Sequence, residues 1–589
     1  MAEPPSPIYW RDDGFPGSSL YGDVYFSSQD GLAETRAVFL AGCGLPQAWK
    51  GRRSFTVGEL GFGTGLNIAA LLQLWRETKA PGARLSIFTI EAHPMSRQDA
   101  ARALGHWPEL GEAAQVLLDA WPGVARGFHR IDLPAFDAVL DIAILDAAEA
   151  LDRWTGPADA WFLDGFAPSA NPAMWSEERL AQVGRRSAPG ARAATFTVAG
   201  VVRRGLAAAG FEVSKQPGFG RKKERLEARW PGEGVDAAVP PGPIAVIGAG
   251  IAGAGTVRAI RAIGGEARLF DALGPASGAS GNPAALMTPR LDSGDGPPAR
   301  LFAQAFRRAV QLYEAEPGAI IARGARHLAT GPRDPPRFVR LADGDLFEPG
   351  SLVASADDIW MRDALVLEPA ALVAAWAGAV ETAAVARLDP APDGGWRLLD
   401  EAGDLIAEAG AVVLCAGPGC ATLVPDLPLQ PVRGQVSLAD GASIDGAVSF
   451  GAYAIPTRTG LLFGATHQKD RTDTAALADD HAANLEKLAE GLPDLAARLR
   501  DQPLTGRAAI RVATPDHLPL AGPVPDHPGL YVLSGLGGRG FCLAPLLAEH
   551  LAADLVVAPS PLPSDLAAAV DPGRFAVRAA RRTSPRPPR

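Results

Sequence analysis

Carboxylates recur at the ends of apolar runs in the first 170 residues. Glu59 sits within Gly58-Glu59-Leu60-Gly61-Phe62-Gly63-Thr64-Gly65, after the apolar run 54–57. Glu91 closes the run 85–90, Asp146 closes 140–145, and Asp164 closes 160–163. Open α/β sheets bind ligands at the carboxyl ends of their strands, so these acids mark one ligand site. Gly61, Gly63 and Gly65 let the backbone approach a nucleotide and expose the N–H groups of the helix that follows. The loop lacks the Lys-Ser/Thr ending of a triphosphate-binding loop. Glu59 would repel a pyrophosphate but suits an amino group. Glu91 can take both hydroxyls of a ribose, and Asp146 can accept from an adenine amine. S-adenosylmethionine carries all three features and a methyl group to transfer.

A second constellation begins at Gly248-Ala249-Gly250-Ile251-Ala252-Gly253, after Ile244-Ala245-Val246-Ile247. Asp271 follows Gly250 by about 20 residues at a strand end, the position of the ribose-binding acid in a dinucleotide fold. An acid there fits FAD or NAD and disfavours NADP. The small-residue loop around Ser280, Gly281 and Asn282 suits the long pyrophosphate and flavin of FAD. Far downstream, the strand 530–534 enters Gly535-Leu536-Gly537-Gly538-Arg539-Gly540 and then a helix. A helix N-terminus under a flavin stabilises its reduced anion. This pairing of an N-terminal fingerprint with a distant glycine helix resembles the D-amino-acid-oxidase type of flavoprotein.

The elements that must position these groups divide the chain in two. At 589 residues with 47% apolar content, the chain can build about three to five structural units. Proline and glycine cluster at 231–243 without apolar period, which sets a boundary near 235. Residues 1–235 are expected to form a Rossmann-like class I methyltransferase fold. Residues 236–589 are expected to form an FAD-binding Rossmann domain (about 243–330 and 510–560) with a mixed-sheet α+β substrate part (about 330–510). Cys43, Cys415, Cys420 and Cys542 show no metal-ligand spacing and read as buried thiols; no metal is expected. No signal peptide or membrane-length apolar run is visible, so the cytoplasm is the expected compartment. The net charge of −10 opposes a uniformly basic nucleic-acid binder, although phosphate contacts need only a local patch.

The segment Trp161-Phe162-Leu163-Asp164-Gly165-Phe166-Ala167-Pro168-Ser169-Ala170-Asn171-Pro172-Ala173-Met174-Trp175 resembles the DGFAPxxNPxMW signature of the MnmC family, bifunctional proteins that modify the wobble uridine of tRNA. The blocks 194–206 and 218–224 are similar to the same methyltransferase half. The blocks 431–436, 451–456, 462–467, 509–519 and 571–575 are similar to its oxidoreductase half.

The resemblance implies two reactions on one nucleoside. FAD-dependent oxidation removes the carboxymethyl group of a 5-carboxymethylaminomethyl uridine as glyoxylate, leaving an aminomethyl group. S-adenosylmethionine then methylates that amine. Asp164 is the candidate to position the amine and take its proton. Phe166 and Trp175 are candidates to stack on the exposed base. The substrate carboxylate needs a cation: Arg511 first, Arg433 or Arg539 second, with Tyr453 lining the pocket. tRNA is expected on a local basic face of Arg203, Arg204, Arg221, Lys222 and Lys223, assisted by the arginine tail from Arg574, and the protein is expected to be monomeric. Two alternatives stay open on the bare motifs. One is a fused amine oxidase and N-methyltransferase for small amines, and the other is a non-catalytic tRNA-binding scaffold.

Overall fold

A computed structural model describes residues 8–27, 29–220, 222–234, 242–392, 394–469 and 471–583, with side chains to residue 579. The chain divides into two compact units. One comprises Met1–Ala238 with Val557–Ser564, the other Val239–Val556 with Asp565–Arg589.

The first unit is built on an eight-stranded sheet in the order Gly127–Leu133, Ala138–Ile144, Arg84–Ile90, Ser54–Leu60, Ala158–Leu163, Ser187–Thr195, Glu224–Arg229, Glu212–Pro217. The five strands from Ala138–Ile144 to Ser187–Thr195 run parallel. The outer strands Gly127–Leu133 and Glu224–Arg229 pair antiparallel. The central strand Ser54–Leu60 is buried along nearly its whole length, as expected of a sheet covered on both faces. Strand order reverses between Ser54–Leu60 and Ala158–Leu163, so the loops after them diverge and leave a crevice. The glycine loop and the Asp164 turn are those two loops. A buried bidentate pair, Arg130 Nε and Nη2 to Asp141 (2.8 and 2.6 Å), ties the antiparallel strand to its neighbour.

In the second unit a six-stranded sheet runs Val380–Thr382, Ala267–Asp271, Ile244–Ile247, Ala411–Leu414, Leu530–Ser534, Leu520–Pro523. Its reversal lies between Ile244–Ile247 and Ala411–Leu414, at the second glycine loop. A ten-stranded mixed sheet draws its strands from between residues 285 and 513. Within it His327 pairs with Ser449, Ser449 with Tyr453, Tyr453 with Gly464, Gly464 with Val436, and Val436 with Arg507. Residues opposite one another across neighbouring strands share a face, so this row forms a floor. The helix Gly540–Leu555 packs its apolar length against the helix Ile251–Ala262.

All four cysteines are free and buried. No helix among the described residues is long and apolar enough to cross a membrane.

Candidate active sites

A cavity of about 400 Å³ occupies the crevice of the first unit. Gly61, Gly63 and Gly65 all have left-handed backbone (φ +92°, +52°, +74°). A Cβ at Gly61 would lie 3.3 Å from Gly165 Cα, so the loop and the Asp164 turn pack tightly, and the left-handed backbone at Gly61 favours glycine. Glu91 lines the cavity. Its Oε2 accepts from Gly63 N (3.0 Å) and its Oε1 from His93 N (2.9 Å), which leaves a lone pair on each oxygen for a ribose hydroxyl.

Asp164 lines the same cavity. Its Oδ1 accepts from Gly165 N (2.8 Å) and its Oδ2 from Asn67 Nδ2 (2.8 Å). Burial pushes this carboxyl up to about 7, against the pull of those two hydrogen bonds. Asn67 is itself fixed: its Oδ1 accepts from Thr35 Oγ1 (2.7 Å) and its Nδ2 also donates to Glu59 Oε1 (3.0 Å).

Glu59 departs from expectation. It is fully buried beneath the cavity, with Oε1 held by Asn67 and Oε2 by Thr89 Oγ1 (2.7 Å). Burial pushes its carboxyl up to about 8. Glu59 therefore fixes Asn67 from behind and is not itself a cavity-lining acid. Asp146 stands at the edge of the cavity rather than in its lining. Its Oδ1 caps the helix Ala147–Arg153 through Ala148 N (2.7 Å) and Glu149 N (3.1 Å), and its neighbours Leu145 and Ala147 line the cavity.

The aromatic wall differs too. Phe166 lines the cavity, stacked on Tyr21 (centroids 4.7 Å, 27°) and edge-on to Tyr25 (5.2 Å). Tyr21 and Tyr25 come from an N-terminal segment with no periodic signal. Asp23, between them, accepts from Ala167 N (2.8 Å) and so fastens that segment to the Asp164 turn. Trp175 cannot stack on a base. It is 1% exposed, and its Nε1 donates to Phe166 O (2.8 Å), which props the turn from the core side. Lys222 is exposed but already engaged: it lines the cavity, pairs with Glu34 (2.9 Å) and sits 4.1 Å over the Phe196 ring. Arg203 and Arg204 are exposed on the helix Gly200–Ala209, and Lys223 is exposed as well. Arg221 lies outside the described residues.

The second unit holds a cavity of about 1060 Å³. Gly248 (φ +105°) could not carry a Cβ, which would lie 2.6 Å from Cys415 O, and a Cβ at Gly253 would strike Gly248 O. Asp271 Oδ2 accepts from Ala249 N (2.7 Å), while Oδ1 accepts from Leu273 N and Gly274 N. Ser280 Oγ accepts from Ile251 N (3.0 Å), which brings the second loop over the helix start beside Gly250. Arg507, unremarked in the sequence, clamps that loop. Its Nη1 donates to Asn282 Oδ1 (3.0 Å) and its Nη2 to Ser277 O and Gly278 O, close against Gly281. Around Gly537 (φ +54°) the space is open, and Gly538 and Gly540 line the cavity beside it. A ribose-binding acid, two glycine approaches and an open glycine helix start fit the two ends of FAD.

Three arginines were candidates for a substrate carboxylate. Arg433 is excluded by burial: it is 0% exposed, and its guanidinium is spent on Asp480 Oδ2 (2.6 Å), Asp473, Gln468, Gln435 and Ala475 O. Arg539 lines the cavity, but its Nη1 is held by Thr288 and by Pro289 O. Arg511 lines the cavity with one weak bond, Nη2 to Thr466 O (3.3 Å), and has no carboxylate partner among the described residues. Tyr453 shares the cavity, and burial raises its phenol, which therefore stays a donor at neutral pH. Of the arginine tail, Arg574 and Arg578 both pair with Asp516, and Arg586 and Arg589 lie outside the described residues.

Comparison with known proteins agrees with this division. Residues 108–231 match the family model of S-adenosyl-L-methionine-dependent methyltransferases, and residues 243–554 match that of FAD dependent oxidoreductases. The tRNA 5-methylaminomethyl-2-thiouridine biosynthesis bifunctional protein MnmC of Caulobacter sp. (strain K31) is 62% identical over 98% of this chain and 99% of its own. The protein of the same name from Caulobacter vibrioides is 61% identical over 97% and 98%. Among solved structures, glycine oxidase from Geobacillus kaustophilus is 25% identical, covering 54% of this chain and 94% of its own, with a TM-score of 0.44. With both cofactor folds present in order and relatives matched along nearly the whole length, the chain belongs to the MnmC family of bifunctional proteins.

Proposed function

We propose that this protein performs two successive reactions on the wobble uridine of tRNA. The first converts 5-carboxymethylaminomethyl-(2-thio)uridine to the 5-aminomethyl form, and the second methylates that amine. One observation carries the reading: each cofactor-shaped cavity contains one ionisable group suited to its step, Arg511 in one and Asp164 in the other.

Bound FAD supplies the two-electron acceptor, and bound S-adenosylmethionine supplies the methyl group. In the oxidase cavity Arg511 pairs with the substrate carboxylate, and the Tyr453 phenol donates a further hydrogen bond. The methylene between amine and carboxylate gives up a hydride, and the amine nitrogen loses its proton. Water then adds to the resulting carbon–nitrogen double bond, releasing glyoxylate and the primary amine. In the methyltransferase cavity that amine arrives largely protonated. Asp164, with its carboxyl near 7, accepts the proton and leaves a nitrogen lone pair for the methyl carbon. The stacked pair Phe166 and Tyr21 supplies a platform for the uracil ring.

Arg203, Arg204 and Lys223 are exposed and form the proposed tRNA face of the methyltransferase unit. We assign the protein to the cytoplasm, where its substrate resides, and to a monomeric state. The reading is tested by adding undermodified tRNA anaerobically to the yellow enzyme. Bleaching of the visible flavin band with release of glyoxylate is expected, and an unchanged spectrum would count against it.

A further inference from the structure

The rim of the oxidase cavity carries a basic helix that the reactions above do not use. The helix Asp334–Ala342 packs its buried face, Phe338 and Leu341, onto the mixed sheet. His327 meets the Phe338 ring edge-on at 5.8 Å, and His327 and Arg337 both line the cavity. At 100° per residue, Arg333, Arg337 and Arg340 fall on one narrow stripe, rising by about 10 Å along the axis.

The three arginines are not equivalent. Arg337 is partly covered and pairs with Asp334 (2.9 Å), and its Nε is buried with no hydrogen-bond partner among the described residues. Arg333 and Arg340 are exposed, and neither side chain has an ion pair or hydrogen bond among the described residues. Other arginines of this sheet region are neutralised: Arg323 by Glu314, Arg326 by Asp358, Arg362 by Asp363. Arg333 also stands at the helix N-cap, where a cation opposes the helix dipole and no side chain caps the turn. Arg333 therefore does nothing for the helix that carries it, whereas Arg340, in the last turn, suits the helix dipole and Arg337 is paired within the helix.

We infer that Arg333 and Arg340 bind the sugar-phosphate strand flanking the modified nucleoside, seating the tRNA over the oxidase cavity while Arg337 lines its entrance. The inference rests on the tRNA reading above. The occupant is identified by charge: two unneutralised guanidinium groups about 10 Å apart along the helix, on either side of the cavity-lining Arg337, fit phosphates along a single strand.

The test compares both steps in the same full-length preparations. Arg333→Gln/Arg340→Gln is expected to raise KM for oxidation of carboxymethylaminomethyl tRNA about tenfold. It should also reduce the salt slope of that KM by about 1.4, two single-strand phosphate contacts at about 0.7 each. The methyl step on aminomethyl tRNA should keep its KM, and an unchanged bound-flavin spectrum should report that the substituted unit is folded. Arg333→Lys/Arg340→Lys should restore the slope, since a phosphate accepts a point charge. An unchanged KM and slope, an equal rise in both steps, or no restoration by lysine would overturn the assignment. Failure of the tRNA reading itself is separate, because wild-type protein would then convert tRNA in neither step.

Discussion

Asn67 Nδ2 donates to Asp164 Oδ2 across 2.8 Å, and the same nitrogen donates to Glu59 Oε1 across 3.0 Å. One amide thus joins the acid in the cavity to an acid buried beneath it. With Thr35 Oγ1 on its oxygen, the amide cannot turn without breaking three bonds. Asp164 is held with one face toward the methyl-transfer cavity by an amide that is itself anchored to the buried Glu59.

Replacing Asp164 with Asn keeps the shape and removes the proton acceptor. Methyl transfer is expected to fall by about a hundredfold to ten-thousandfold in single-turnover rate. Affinity for S-adenosylmethionine, measured calorimetrically, should change little, because Glu91 and the glycine loop remain. Near-normal turnover would remove Asp164 from the chemistry.

The carboxyl of Asp164 titrates near 7, and only its ionised form accepts a proton. Methyl-transfer rate at saturating cofactor is therefore expected to rise with pH through about 7 and then level off. A profile flat from pH 6 to 8 would show that another group takes the proton.

Glu59 makes a stability prediction with a definite sign. Its folded carboxyl is raised to about 8 by burial, so the native state holds a proton that the unfolded chain releases at much lower pH. Stability of the first unit should fall as pH rises from the ordinary glutamate range toward 8. Glu59→Gln cannot ionise and should make that decline shallower in urea midpoints, leaving the share of Asp164, whose carboxyl burial also raises. An equally steep decline in the variant would place the titration elsewhere.

In the oxidase unit, Arg511→Ala should lower kcat/KM for glyoxylate release by about tenfold to a hundredfold through loss of a charged hydrogen bond, with the methyl step spared. Arg433→Ala should behave differently. It strands Asp480 in the interior and should cost about 3–5 kcal/mol of stability. A folded, stable Arg433→Ala enzyme with weakened carboxylate binding would reverse the roles given to these two arginines.

What could be read from the sequence was what the local chain determines. Strand, glycine turn and helix are contiguous, so both loops, Glu91, Asp164 and Asp271 fall at strand ends as expected. Burial and distant partners were not legible. Trp175 looked like a stacking residue because nothing local shows that Phe166 O takes its N–H inside a core. Lys222 read as one of a basic run, yet its partner Glu34 lies 188 residues away. Arg433 was indistinguishable from Arg511 until Asp473 and Asp480 closed around it. Tyr21, Asp23 and Tyr25 lie in a segment without period, and Arg507 lies on a strand whose neighbours are set by the sheet.

The central claim is that one nucleoside is worked on in both cavities, and its mass measures this directly. Undermodified tRNA is incubated with the protein and digested to nucleosides. Without S-adenosylmethionine, the wobble nucleoside should lose its carboxymethyl group and stop at the aminomethyl form; with the donor present, it should then gain one methyl group. A wobble nucleoside of unaltered mass in both reactions would contradict the account.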